Sequence, residues 1–222
     1  KRIKRGFICA TKIEKTEDFE KTVIPFSHIL IDEWQSLGSE FWDAVKQASS
    51  GKKVKKLKPH TPRPYQRKAI NAAKKHFIKE EKKRGKLIMA CGTGKSLIGF
   101  WTAVDALKGK NIVIGLPSLD LIKQTYRDWA REVHARNKTM DVLIVCSDKS
   151  TGKRSDDDVD IKSTDLQAEV TTNPKDIKAW IRDKKSKADI RVVFVTYQSG
   201  SVFGKATGTF NFDVGLFDEA HK

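Results

Sequence analysis

No run in the 222 residues strings together the roughly 18 to 20 apolar side chains that a helix needs to cross a bilayer. The basic N-terminus also lacks the apolar core of a signal peptide. Neither a membrane span nor a secretory leader is expected. Cysteine is scarce: Cys9, Cys91 and Cys146 are odd in number, far apart and free of paired metal-ligand spacing, which supports neither a disulfide framework nor a zinc site. Such usage suits a reducing, intracellular, cytoplasmic setting. Internal repeats are missing too. Acidic residues are in deficit, 28 against 44 Lys or Arg for a net charge of +16, and the deficit is local. Residues 51–86 hold fifteen Lys or Arg and two Glu. That segment reads either as a solvated linker and helix face or as a footprint for phosphates, because clustered cations release counterions from nucleic acid.

What is present is a pattern of apolar runs, 38% hydrophobic residues in all, enough for one full domain and a smaller one. "GFICAT" and "SHILID" read as short buried strands, and "EWQSLGSEFWDAVKQA" places Trp34, Leu37, Phe41, Trp42 and Val45 near helical spacing. Residues 1–50 are therefore expected to be the closing part of an α/β unit, and 51–60 a basic linker. From 61 to 222 the pattern is strand and helix in alternation. Tyr65, Ala69, Ala72, Ala73, Phe77 and Ile78 share a predicted helical face, started by Thr61–Pro62 or Arg63–Pro64. "KLIMA", a glycine loop and a helix follow, then "NIVIGLP", "LDLIKQTYRDWAREVHA", "MDVLIVCS", "DIKAWIRDK", "IRVVFVTY" and "FDVGLFDEA". Near-continuous apolar strands alternating with helices predict a doubly wound, mostly parallel sheet covered on both faces. The polar stretch near 148–172 breaks the pattern and is expected to be an exposed insertion.

Two places carry chemistry. In "KLIMACGTGKSLIGFW" a lysine and a hydroxyl stand where a predicted buried strand becomes a buried helix. A loop there aims backbone N–H groups and the positive end of a helix dipole at one point, which calls for an anion. Gly92 and Gly94 allow close approach, Lys95 can reach outer phosphates, and Ser96 can hold Mg²⁺. Met89 occupies the first glycine position of the general G-x-x-x-x-G-K-[ST] pattern. At the end of another apolar strand, "VGLF" hands over to Asp218 and Glu219. Parallel sheets place their chemistry at the carboxyl ends of strands. Asp218 is then expected to hold the metal through water, and Glu219 to activate the attacking water. A P-loop kinase, a switch NTPase and a non-catalytic nucleic-acid-binding module remain alternatives on these residues alone.

"MACGTGKS", which includes Thr93, and "DEAH" together resemble motifs I and II of superfamily 2 helicases and translocases. Three other stretches fit in order. "RPYQ" resembles the Q-motif, which implies that Gln66, with Arg63, reads adenine. "LPSLDLIKQ" resembles motif Ia, placing Pro117 and Ser118 beside a nucleic-acid backbone. "VTYQS" resembles the segment before motif II in restriction-enzyme motors, placing Thr196, Tyr197 and Gln198 on the same track. Ser118 can equally cap the helix after it. In wording the motifs sit nearest the motors of type I and type I-like restriction enzymes, in which the motor follows a nuclease-like domain. The first fifty residues resemble the end of such a restriction-endonuclease-like domain, with no nuclease residues assigned. The resemblance implies a first RecA-like lobe of an ATP-dependent motor using ATP and Mg²⁺. It implies DNA before RNA as partner, and a second RecA-like lobe that completes the site. A fragment without that lobe is expected to hydrolyse ATP very slowly.

Overall fold

A computed structural model describes residues 6–9, 26–29, 39–51, 57–146, 169–183 and 185–219. They fall into two units, one holding those up to Gly51 and the other those from Leu57 onward. In the first unit, β1 (Gly6–Cys9) and β2 (Phe26–Ile29) pair in parallel, with Gly6 opposite Phe26 and Cys9 opposite Ile29. Helix α1 (Ser39–Ser49) follows, its end closed by the hydroxyls of Ser49 and Ser50, which donate to Lys46 O and Gln47 O. Trp34 and Leu37 of the expected helix lie outside the described residues, as do Lys52, Lys53, Lys55 and Lys56 of the basic segment.

The second unit is built on a five-stranded sheet in which every ladder is parallel. Its strands are β3 (Asn111–Leu116), β4 (Met140–Val145), β5 (Glu169–Val170), β6 (Ile190–Thr196) and β7 (Val214–Phe217), in the spatial order β5-β4-β6-β3-β7. The central strands β3, β4 and β6 are, Thr196 aside, apolar beyond their first two residues because both faces are covered there. Alternate side chains divide between the two layers. Val113, Leu143, Val145, Val193 and Val195 meet Ile177 and Ile181 of α5 (Pro174–Arg182), with Val202, Phe203 and Ala206 of α6 (Gly200–Thr207) packed against them. The other set includes Phe194, whose ring lies edge-on to Tyr126 and Trp129 of α4 (Leu119–Ala135). This is the doubly wound α/β architecture of a RecA-like lobe.

Local signals explain the helix starts. Ser118 accepts the Leu121 N–H (3.4 Å), and Asn173 accepts the Lys175 N–H (3.0 Å) ahead of Pro174. The buried residues of α4, Ile122, Thr125, Trp129, Glu132 and Val133, recur every three or four positions. One of them is a charge. Glu132 is 0% exposed; its Oε1 accepts the His60 N–H (2.9 Å) and lies 2.5 Å from His60 Nδ1, while Arg136 Nη2 is 3.1 Å from Oε2. Arg136 in turn reaches Asp105 (3.1 Å) and covers the Phe100 ring. The strand entrances are stapled too, Asp189 accepting both the N–H and the hydroxyl of Thr139 at 2.8 Å.

Three expectations need correction. Lys86–Ala90 is not a strand: it takes no regular structure, pairs with no strand among the described residues, and leaves Leu87 53% and Ile88 82% exposed. A strand needs a neighbour for its N–H and C=O groups, and among the described residues the sheet ends at β7, which pairs there with β3 alone. Secondly, α2 (Pro64–Lys74), continued by a π-helical turn over Lys75–Lys79, is rotated from its expected face. Gln66 is its buried residue, whereas Tyr65 and Ile78 are exposed. Thirdly, the tail of the 148–172 stretch rejoins the sheet as β5 beside β4. Its earlier part lies outside the described residues.

Candidate functional site

The glycine loop opens on α3 (Lys95–Phe100), which runs on through a π-helical segment, Trp101–Ala106. Gly92 and Gly94 take φ +74° and +79°, a region L side chains rarely adopt, so the turn into the helix needs glycine at both. A Cβ on Gly94 would also stand 2.8 Å from Gln66 Nε2. Inside the loop the Thr93 hydroxyl donates to Ala90 O (2.7 Å). The Thr93 carbonyl accepts from Gln66 Nε2 (3.0 Å) and from the Tyr65 hydroxyl (3.2 Å). Gln66 Oε1 accepts the Arg63 N–H (2.8 Å), so this 5% exposed amide joins the start of α2 to the loop. Arg63 itself is exposed.

Lys95 is half-buried and forms no ion pair with any described carboxylate. The Ser96 hydroxyl is buried with no hydrogen-bond partner. A buried hydroxyl without a partner is costly, and a divalent cation coordinated by that oxygen relieves the cost. The residues present therefore fit Mg²⁺, although no trio of His, Cys, Asp or Glu among the described residues forms a protein-only metal cage. The Ser96 carbonyl accepts Trp129 Nε1–H (3.1 Å), which fixes the first turn of α3 against α4. Nothing in the spacing marks Trp129 for that role.

One turn into α3, a Cβ on Gly99 would lie 3.3 Å from Leu216 Cδ1, two residues before Asp218. That close contact sets the helix that carries Lys95 against the strand that carries the acids. Asp218 donates its N–H to Gly115 O (3.0 Å) and accepts the Glu219 N–H on Oδ1 (3.1 Å). Glu219 has φ +53°, a left-handed conformation that costs a residue with a Cβ about 1–3 kcal/mol and is found at working sites.

The ends of β3, β6 and β7 lie on one edge, since the strands are parallel and in register, Gly115 opposite both Val195 and Phe217. Pro117 and Ser118 leave β3 there, and Tyr197 and Gln198 leave β6. Tyr197 and Gln198 are exposed, whereas Thr196 is buried with its hydroxyl donated to Ser199 Oγ (3.1 Å), facing the core. Tyr197 donates its hydroxyl to the Asp218 carbonyl. Burial first, then the Asp218 and Glu219 carboxylates, raise the pKa of that hydroxyl above its ordinary value, so it remains a donor. Arg67, Lys68, Lys74, Lys75, Lys79, Lys82, Lys83, Arg84 and Lys86 are all exposed. No described helix is long and apolar enough to cross a membrane.

A family profile for the res subunit of type III restriction enzymes matches residues 59–222. Among solved structures, a nuclease-deletion mutant of the type ISP restriction-modification enzyme LlaGI, in complex with a DNA substrate mimic, is similar with 33% identity and a TM-score of 0.57. The alignment covers 73% of this chain and 15% of that one. The ATP-dependent type ISP restriction-modification enzyme LlaBIII, bound to DNA, is similar with 28% identity and a TM-score of 0.67, over 98% of this chain and 14% of that one. The chain thus spans about a seventh of the length of these relatives. A search of curated proteins finds no match.

Proposed function

The chain belongs to the family of the type III restriction enzyme res subunit, and from that premise we propose that it is the first RecA-like lobe of an ATP-dependent DNA translocase of a restriction system. The observation that carries this reading is the buried, unpartnered Ser96 hydroxyl beside an unpaired Lys95 at the head of α3. Lys95 binds the outer phosphates, Ser96 and Asp218 hold Mg²⁺, and Glu219 takes the proton of the attacking water. A metal held there would supply neutralisation of the charge that develops on the phosphates. Gln66 and Arg63 read adenine beside the loop that Gln66 already braces. Pro117, Ser118, Tyr197 and Gln198 track one DNA strand, and the exposed lysines of 57–86 add sequence-independent, salt-sensitive attraction.

Residues 1–50 are proposed as the end of a restriction-endonuclease-like domain. Supporting this, β1 and β2 pair in parallel ahead of α1, and the likeness to the ATP-dependent type ISP enzyme extends over 98% of this chain. A second RecA-like lobe is proposed to close the site with arginines worth about 10³–10⁵ in rate.

The test is steady-state ATP hydrolysis by the full-length protein with and without duplex DNA. Hydrolysis should rise with DNA, and Lys95→Ala should lower it by about 10²–10³. A rate indifferent to DNA, or turnover in the tens per second (the order of a complete enzyme) from the isolated chain, would contradict the split, DNA-driven site.

A further inference from the structure

Tyr197 occupies the junction of two strand ends. Its hydroxyl holds the Asp218 carbonyl, and Gly115 O holds the Asp218 N–H at 3.0 Å, so the peptide groups on both sides of Asp218 are fixed. The peptide that Tyr197 holds is the one that leads into Glu219, whose φ of +53° a relaxed chain would leave. The Tyr197 ring is itself confined. A Cβ on Gly115 would lie 3.0 Å from Tyr197 Cε1 and 2.6 Å from Phe217 Cδ1, so the bare backbone of β3 makes the slot for both rings. The residue is 39% exposed at the tip of β6, so burying its ring does not account for the bond its hydroxyl makes.

We propose, resting on the nucleotide-site reading above, that Tyr197 is a positioning residue for hydrolysis: its hydroxyl fixes the Asp218–Glu219 peptide and so the direction in which the Glu219 carboxylate meets the attacking water. It touches neither nucleotide nor metal. Its effect falls on turnover and not on nucleotide affinity, because the groups proposed to bind phosphate sit on a different element, the glycine loop and the first turn of α3.

The experiment compares Tyr197→Phe, Tyr197→Ala and Lys95→Ala in the full-length protein with saturating duplex DNA. It measures kcat, KM for ATP, affinity for a non-hydrolysable ATP analogue, and thermal midpoint. Tyr197→Phe keeps the ring in its slot and removes the donor. It should lower kcat by about tenfold, as expected for a slightly misdirected catalytic group. KM and analogue affinity should stay within about twofold of wild type, and the midpoint should not move. Tyr197→Ala should lose at least as much kcat. A Phe variant with wild-type kcat overturns the proposal. So does one whose analogue affinity or thermal midpoint falls together with kcat, since the bond would then serve the fold alone. Undiminished turnover in Lys95→Ala strikes the nucleotide-site reading itself, whatever Tyr197→Phe does.

Discussion

Two apolar runs lead to the two halves of the proposed nucleotide site, and they end in opposite states. Val214–Phe217 is a strand, zipped to β3 from Ile112 to Gly115. Lys86–Ala90, with Leu87, Ile88 and Met89 in a row, is unpaired and open to solvent. By composition the second is the better strand, since "VGLF" carries a glycine. What separates them is a partner: β7 lies beside β3 and gains a ladder on one side, while no described strand borders Lys86–Ala90. Strand character is conferred by neighbours far more than by residue type.

The difference can be made quantitative. In hydrogen exchange, the amides of Ile112–Leu116 should be protected by about 10³–10⁸, the scale of global unfolding, while those of Leu87 and Ile88 should exchange close to the free-peptide rate. Equal protection would mean that the run acquires a strand partner in solution. Paired truncations sharpen the same point. Leu143→Ala, in the middle of the sheet, should cost about 2–5 kcal/mol in urea unfolding, whereas Ile88→Ala should stay within about 0.5 kcal/mol.

A smaller effect is expected in β3 where it faces the tip of β7. Gly115→Ala should cost about 1–3 kcal/mol through overpacking against Phe217 and Tyr197, measured as a shift in thermal midpoint. Smaller still is the alkaline behaviour of Tyr197. Its folded pKa is raised above that of the unfolded chain. Any stability from this source is complete below about pH 10 and is lost as pH rises through the raised native value. The absorbance titration of wild type should therefore contain two late tyrosinate ionisations, from Tyr197 and the half-buried Tyr126, of which Tyr197→Phe should lose one.

Much of this was legible in the sequence, and for physical reasons. The sheet strands Asn111–Leu116, Met140–Val145 and Ile190–Thr196 announce themselves because strands covered on both faces are near-continuous apolar runs, with Asn111, Asp141 and Arg191 confined to the first two positions. The loop was legible because φ values near +75° at Gly92 and Gly94 admit little else. Contacts that depend on where a side chain arrives were not. Gln66 resembles a surface amide by spacing, yet it is buried because two backbone groups draw it inward. Helix α6 carries Gly200 and Gly204, residues that argue against helix by propensity, and it forms because Val202, Phe203 and Ala206 find the sheet. Tyr197 reads as a strand-end aromatic beside a proposed nucleic-acid track. That its hydroxyl returns to Asp218, 21 residues later, is a product of strand order, which no local pattern encodes.

The carboxylate sealed inside α4 has a mechanical consequence. Were that helix to roll about its axis, Glu132 would leave the His60 N–H and ring that face it from outside the helix, and stranding a buried charge is penalised by about 3–5 kcal/mol. The helix is thereby keyed like a shaft in a slot, and thermal rolling of that size is rare. Force applied at its Ser118 end is then transmitted along the whole rod to Trp129 and the first turn of α3, with little lost to slippage on the way.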